Sequence, residues 1–186
     1  MKIDVILNQI YQLPECSANR LKSHISLVTY PKGHILVQAG TIERKIYFIK
    51  TGIVRAFSAH EERDITFWFG EEGETVISMK GYVENKRGYE NMELLEDCEL
   101  YVLNIASLQS LYLEDIQIAN WGRKFAELEL LKIEERLISR ELLEATQRYK
   151  ELLAHYPSLM RRVPLKHIAS YLGIPQVSLR RIRKSI

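Results

Sequence analysis

The sequence predicts an α+β fold in which a jelly-roll β-domain is followed by a long helix and a C-terminal helix-turn-helix. Between Leu27 and Leu103, short apolar runs alternate with turn signals, which is typical of a β-sandwich or small barrel. From Ile105 onward, apolar residues recur at three- and four-residue spacing, which is typical of helices. After Glu151 the chain carries seven Lys and Arg and no Asp or Glu, so its last part is basic and suggests an anionic partner.

The composition is that of a folded protein. The chain has 186 residues, of which 46% are hydrophobic and 27% charged, enough for one large or two modest domains. The N-terminus lacks the apolar run of a signal peptide, and the longest uncharged stretch in the middle, Leu100 to Leu113, is too short to span a bilayer. We therefore expect a cytoplasmic protein with no membrane partner.

The sequence also argues against several chemistries. Its two cysteines, Cys16 and Cys98, lie far apart and form no CxxC pair, which disfavours a disulfide framework, a zinc site and an iron–sulfur cluster. There is no phosphate-binding glycine loop, no GxSxG turn and no HExxH motif. We expect no metal, no cofactor and no enzymatic activity.

The first domain is predicted to span residues 1–115. Helical spacing from Val5 to Ile25 comes first, and strands follow. Roughly eight strands are expected, as in jelly rolls. The clearest strand candidates are Ile35–Val37, Ile46–Ile49, Ile53–Phe57, Ile65–Phe69 and Leu100–Leu103.

The segment 116–139 is predicted to be a dimerisation helix because it carries two apolar stripes. Such a helix must bury two faces, one against its own β-domain and one against a second copy of the chain. The alternative is a central helix buried within one chain. We assign the dimer interface to the first stripe, Ile118, Trp121, Phe125 and Leu128; the second stripe consists of Ala126, Leu130, Ile133 and Leu137.

Residues 140–186 are predicted to form a helix-turn-helix domain. Ile168 and Leu172 share one face of a short first helix, and Gly173 can adopt the left-handed conformation that the turn needs. Spacing of three and four residues places Leu179, Ile182 and Ile186 on the inner face of the second helix. An ordinary helical hairpin with a basic surface is the alternative, but it would not require the glycine and the acid-free outer face together.

The outer face of the second helix fits duplex DNA. Arg suits bidentate contact with guanine in the major groove, and Gln can read adenine; phosphate contacts anchor the protein without discriminating sequence. The predicted base-reading residues are Gln176, Val177, Arg180 and Arg181. The predicted phosphate contacts are Lys166, His167, Ser178, Arg183 and Lys184.

Taken together, these segments resemble the Crp/Fnr family of bacterial transcription regulators over essentially the whole chain. The resemblance rests on Pro31–Gly33, Ala39–Gly40 and Ile46–Arg55 in the β-domain, and on Leu152–Pro157 and Arg162–Ile174 in the tail, which is especially similar to short-tailed members from the Bacteroidetes. It implies a cyclic-nucleotide-binding-like sensor domain, a homodimer and a palindromic DNA operator. It further implies a small-molecule effector and RNA polymerase as partners.

The chain departs from the family's nucleotide-binding pattern. Members that bind cyclic nucleotides carry a Gly-Glu pair and an Arg-Ser pair, where this chain has Ser78 and then Gly88-Tyr89. Without an acceptor for the ribose and a cation for the phosphate, burying a nucleotide would be costly, so we expect an effector other than cyclic AMP. The residues expected to line its pocket are Trp68, Ser78, Met79, Tyr82, Arg87 and Tyr89.

Two further departures concern the second helix. Val177 stands where an acidic residue is usual in the family, which should change base preference. The chain ends at Ile186, so no β-wing is expected after this helix.

The sequence thus predicts a homodimeric, sequence-specific DNA-binding transcriptional regulator. The alternative is a small-molecule sensor or interaction module without sequence-specific DNA binding, whose basic tail binds another anion.

Overall fold

The computed structural model describes residues 1–61 and 63–185. Within them the helices are α1 (Ile3–Ile10), α2 (Glu15–Lys22), α3 (Met79–Glu84), α4 (Ile105–Glu114), α5 (Ile116–Leu142), α6 (Ala145–His155), α7 (Leu159–Arg162), α8 (Leu165–Leu172) and α9 (Gln176–Ser185). The strands are β1 (Ile25–Tyr30), β2 (Ile35–Val37), β3 (Lys45–Thr51), β4 (Val54–Ser58), β5 (Ile65–Gly70), β6 (Thr75–Val76), β7 (Asn91–Leu94) and β8 (Cys98–Asn104).

The strands form two four-stranded antiparallel sheets, which confirms the expected jelly roll. One sheet has the order β1-β8-β3-β6 and the other β2-β7-β4-β5. Inward-facing apolar residues of both sheets, among them Ile49, Val54 and Leu100, are fully buried between them. Burial of such alternating side chains is what holds a sandwich together.

The long helix α5 packs its first apolar stripe against its own β-roll. Ile118, Trp121 and Phe125 are at most 5% exposed, and the Trp121 indole N–H donates a hydrogen bond to the Leu7 carbonyl oxygen at 3.1 Å. Leu128 is half-buried. The assignment of Ile118, Trp121 and Phe125 to the dimer interface was wrong, because side chains already buried within one protomer have no surface left for a partner. The assignment of Leu128 stays a prediction.

The second stripe of α5 is left uncovered instead. Leu130, Ile133 and Leu137 are 58–67% exposed. These side chains lie on one face of the helix, at three- and four-residue spacing. We call Ala126, Leu130, Ile133 and Leu137 the open stripe.

Helix α5 begins at a clear boundary. The Asp115 carboxylate accepts hydrogen bonds from the backbone N–H groups of Gln117 and Ile118 at 2.9 and 3.3 Å, which is a typical N-cap. The helix runs to Leu142, three residues beyond the range predicted from the sequence.

The C-terminal helices dock on the β-roll. Their apolar core includes Leu152, Ile168 and Leu179 and continues into Ile53 and Phe69 of the β-roll. At the edge of this contact the Ser170 hydroxyl accepts from the Thr66 backbone N–H at 2.9 Å and donates to the Asp64 carbonyl oxygen at 2.8 Å. The sequence did not predict this contact.

Neither a membrane-spanning helix nor a cluster of metal-ligating side chains is found among the described residues. None of their helices combines the length and the apolar character needed to cross a bilayer. Nor do these residues bring together three or more His, Cys, Asp or Glu side chains in a way that could hold a metal ion.

Candidate nucleic-acid interface

The turn between α8 and α9 has the geometry that the sequence predicted. Gly173 is left-handed, with φ 68°, and the Ile174 backbone N–H donates to the Ala169 carbonyl oxygen at 3.0 Å. This pattern is a Schellman-type helix end, in which a residue with a side chain would be strained.

The inner faces of the two helices meet in a dry core. Ile168, Ala169 and Leu179 are at most 2% exposed, and Leu172 is 4% exposed. Ile182 packs partly buried against the same core. Ile186, predicted for the same face, lies outside the described residues.

The outer face of α9 is directed to solvent. Arg180 and Arg181 are exposed, Val177 is 58% exposed, and Gln176 is half-buried. The first turn of the helix contains no acidic residue. The four residues predicted to read bases therefore share one accessible, acid-free surface, which we call the reading face.

The predicted phosphate contacts divide into two groups. Lys166, Arg183 and Lys184 are exposed and Ser178 is half-buried, so each can reach an anion beside the reading face. His167 differs, because its side chain is 9% exposed and turned toward the β-roll. Burial and the nearby Arg55 guanidinium lower the pKa of His167 to about 4, which keeps the ring neutral; its assignment as a phosphate contact was wrong.

Arg162 belongs to the basic tail but does not face an external anion. Its guanidinium donates to both carboxylate oxygens of Glu72, at 2.7 and 2.9 Å, and to both of Glu96, at 2.7 and 2.8 Å. These hydrogen bonds lower the pKa of Glu72 to about 2. Arg162 thus ties α7 to the β-roll, and the basic tail contributes one charge fewer to ligand binding than composition suggested.

The region predicted to hold an effector is compact. Ser78 is 1% exposed, and its hydroxyl has no hydrogen-bond partner among the described residues. A Cβ at Gly88 would lie 2.9 Å from this hydroxyl oxygen and from both carboxylate oxygens of Glu90. Glu90 is itself only 4% exposed. Sequence reasoning missed this buried carboxylate, because nothing in the local pattern distinguishes it from a surface acid.

The other predicted pocket residues do not converge on one cavity. Met79, Arg87 and Tyr89 are exposed. Tyr82 lines a cavity beside α4 and shares a 3.1 Å hydrogen bond with the Tyr112 hydroxyl. A common pocket for these side chains therefore stays a prediction.

Trp68 lies outside the region predicted to hold an effector. Its ring lies across Gly70, which has no side chain to block it, and borders a different cavity of about 760 Å³. This cavity is open to solvent on one side and is lined by the β-roll, the C-terminal half of α5, and α6 and α8. We call it the hinge cavity.

The comparisons with known proteins agree with this architecture. The family model of the cyclic nucleotide-binding domain matches residues 27–115. A search of curated proteins found no match.

The solved structures with the same fold include proteins described as bacterial regulators. The c-di-GMP responsive global regulator CLP of Xanthomonas campestris is 19% identical, with a TM-score of 0.71 over 92% of this chain and 91% of that one. FixK2 of Bradyrhizobium japonicum is 18% identical, with a TM-score of 0.73 over 87% and 83%. A Crp/Fnr-family putative transcriptional regulator from Eubacterium rectale is 13% identical, with a TM-score of 0.72 over 93% and 83%. The fold expected from the resemblance is confirmed.

Proposed function

We propose, from the premise that this chain has the fold of the Crp/Fnr regulators, that it is a homodimeric transcriptional regulator that binds a palindromic DNA site. The observation that carries the proposal is the reading face. A helix-turn-helix with a buried inner core leaves Arg180 and Arg181 exposed on its second helix, without an acidic neighbour in the first turn of that helix. A helix of this kind enters the major groove with its N-terminal residues at the base edges.

Within this proposal the residues of α9 have two roles. Gln176, Val177, Arg180 and Arg181 read bases, and the apolar Val177 can contact a thymine methyl group. Lys166, Ser178, Arg183 and Lys184 bind phosphates and set the orientation of the protein on the duplex.

The open stripe of α5 supplies the dimer contact. Two copies that pack Leu130, Ile133 and Leu137 against each other bury the apolar side chains that a single chain leaves in water. A twofold axis at this stripe relates the two reading faces. They would then occupy half-sites about 34–36 Å apart, one helical turn of DNA.

The β-roll is proposed to sense a small-molecule effector other than cyclic AMP. Ser78 offers no carboxylate to the ribose hydroxyl, and Arg87 is exposed rather than directed into the roll. The buried carboxylate of Glu90 lies beside Gly88 and would repel a phosphate placed there. Interaction with RNA polymerase follows from the proposed regulatory role.

Selection from random duplexes tests the DNA proposal. The expected result is enrichment of a twofold-symmetric motif by the full-length protein. Salt-dependent binding without any enriched motif would support the alternative, an interaction module whose basic surface binds anions nonspecifically.

Two substitutions on the same helix separate base reading from phosphate binding. Arg181→Ala should weaken binding to the selected site by about 1–3 kcal/mol and relax the preference at one base pair. The matched control Arg183→Ala should weaken binding to all sequences equally and lower the salt slope by about 1. Equal behaviour of the two variants would contradict the assignment of Arg181.

A further inference from the structure

The hinge cavity is large enough for a small molecule and lies where the β-roll, α5 and the C-terminal helices meet. Its volume of about 760 Å³ falls in the range of small-molecule sites. Trp68 and Phe69 line it from β5, Arg136 from α5, Arg148 from α6 and Tyr171 from α8.

Arg136 brings a cation to this cavity without a carboxylate partner. Among the described residues no Asp or Glu oxygen lies within 4.0 Å of its guanidinium. The guanidinium instead lies over the Tyr171 ring, 4.2 Å from the ring centre, and burial lowers the pKa of Arg136. A partly buried guanidinium that is held by an aromatic face has all five N–H donors available for an anion.

Arg148 of α6 is a second guanidinium that lines the cavity. Its terminal nitrogens donate to the carbonyl oxygens of Leu143 at 2.6 Å and Leu172 at 2.9 Å. Its Nε has no hydrogen-bond partner among the described residues, although it is buried. A buried N–H without a partner is costly; an acceptor in the cavity would satisfy it once the Arg148 side chain shifts toward the ligand.

Glu74, Glu135 and Glu151 also line the cavity, but none of their carboxylates lies within 4.0 Å of the Arg136 or Arg148 guanidinium. Glu74 pairs with Lys132 at 3.4 Å, and Glu151 accepts a hydrogen bond from the Ser139 hydroxyl at 2.7 Å. Glu135 is exposed. The interior of the cavity therefore combines aromatic walls with two guanidiniums whose hydrogen bonds are incomplete.

We propose that the hinge cavity binds a small organic anion, with a planar apolar body and one carboxylate or phosphate group, through Arg136 and Arg148. The anionic group would take the free donors, and the apolar body would lie against Trp68 in the cavity wall. This binding does not depend on the proposed function. An effect of the ligand on DNA binding does rest on the proposed function. A ligand that bridges the β-roll, α5 and α8 stabilises the docked arrangement of the reading face and would shift the affinity for DNA.

Quenching of Trp68 fluorescence tests the binding directly. The chain has two tryptophans, and Trp121 is 1% exposed in the core and outside the hinge cavity. Full-length protein would be titrated with 4-nitrobenzoate, 4-nitrophenyl phosphate and the neutral 4-nitrobenzyl alcohol. We expect saturable quenching by at least one anion and only linear, collisional quenching by the alcohol; the anion that saturates at lower concentration identifies the preferred group.

Substitutions of single arginines test whether the anion binds in the hinge cavity. Arg136→Gln should weaken binding of the anion about tenfold, as expected for the loss of a charge-assisted contact. The control Arg161→Gln, an exposed arginine of α7 outside the cavity, should leave binding unchanged. Arg148→Lys, which loses the Nε donor, should also weaken it, with folding checked by circular dichroism.

Saturable binding that survives Arg136→Gln, equally saturable quenching by the neutral alcohol, or no saturable quenching by either anion would overturn the proposal. Each of these outcomes leaves the duplex selection unaffected, so failure of the hinge site and failure of the DNA proposal are distinguishable.

Discussion

If the open stripe of α5 forms the dimer contact, a polar substitution within it should weaken dimerisation. Ile133 lies near the middle of this stripe and is 59% exposed in the single chain. Replacement by Asn removes the aliphatic side chain and puts a smaller polar one in its place. The variant Ile133→Asn should fold as the parent does, because no buried contact is removed, and should dimerise less tightly.

The magnitude follows from the exposed fraction. Full burial of an isoleucine side chain stabilises by about 1.5–3 kcal/mol, so burial of the exposed part of Ile133 contributes about 1.5 kcal/mol. A twofold interface contains this side chain twice. The loss is then about 3 kcal/mol, which corresponds to a dissociation constant raised roughly 100-fold.

Sedimentation velocity over a range of concentrations measures this constant. Val83→Asn is the matched control, because Val83 is 67% exposed on α3, away from the stripe; it should leave the dissociation constant unchanged. Ile118→Ala provides the contrast, since Ile118 is fully buried and its truncation should lower the free energy of unfolding by about 2–5 kcal/mol. An unchanged dissociation constant in Ile133→Asn would refute the assignment of the open stripe.

Three further predictions concern the β-roll and its contact with the C-terminal helices. At pH 8 a thiol reagent should modify the exposed Cys16 rapidly and Cys98 only after unfolding, because burial raises the pKa of Cys98 to about 11; equal rates in the native protein would contradict this. Arg162→Met should speed amide exchange in α8, since loss of a half-buried charge with four hydrogen bonds costs about 2 kcal/mol; unchanged exchange would show that the apolar contact alone holds the helices. The pKa of Glu72 is depressed from 4.5 to about 2 in the folded chain. The ionised Glu72 therefore contributes fully to the free energy of unfolding above about pH 4.5, and this contribution is lost as the pH falls toward 2. Acid titration of Arg162→Met should lack this loss of stability.

Much of the architecture could be predicted from the sequence because its signals are local. Short apolar runs between turn residues indicate strands wherever they occur, and they indicated the β-roll here. Gly173 was predictable for a similar reason, since the left-handed conformation of a helix end depends on that residue and its immediate neighbours. The reading face of α9 followed from helical spacing alone.

Contacts between distant segments were not predictable in this way. The buried position of His167 depends on Arg55 and β5, more than a hundred residues earlier in the chain. Arg162 looked like one of seven equivalent basic residues until the structure placed it between Glu72 and Glu96. Trp68 joined the hinge cavity rather than the effector region because Gly70 leaves room for its ring.

The two stripes of α5 show most clearly which features the sequence determines and which the tertiary structure decides. Periodicity determined by itself that this helix has two apolar stripes and which residues share each of them. Which stripe the protomer covers was decided only by the tertiary structure, where α1 and the β-roll enclose Ile118 and Trp121 and leave Leu130 and Ile133 in water. The physical reason is that burial of apolar surface is non-directional: either stripe would gain from it, and only the positions of the surrounding elements select one.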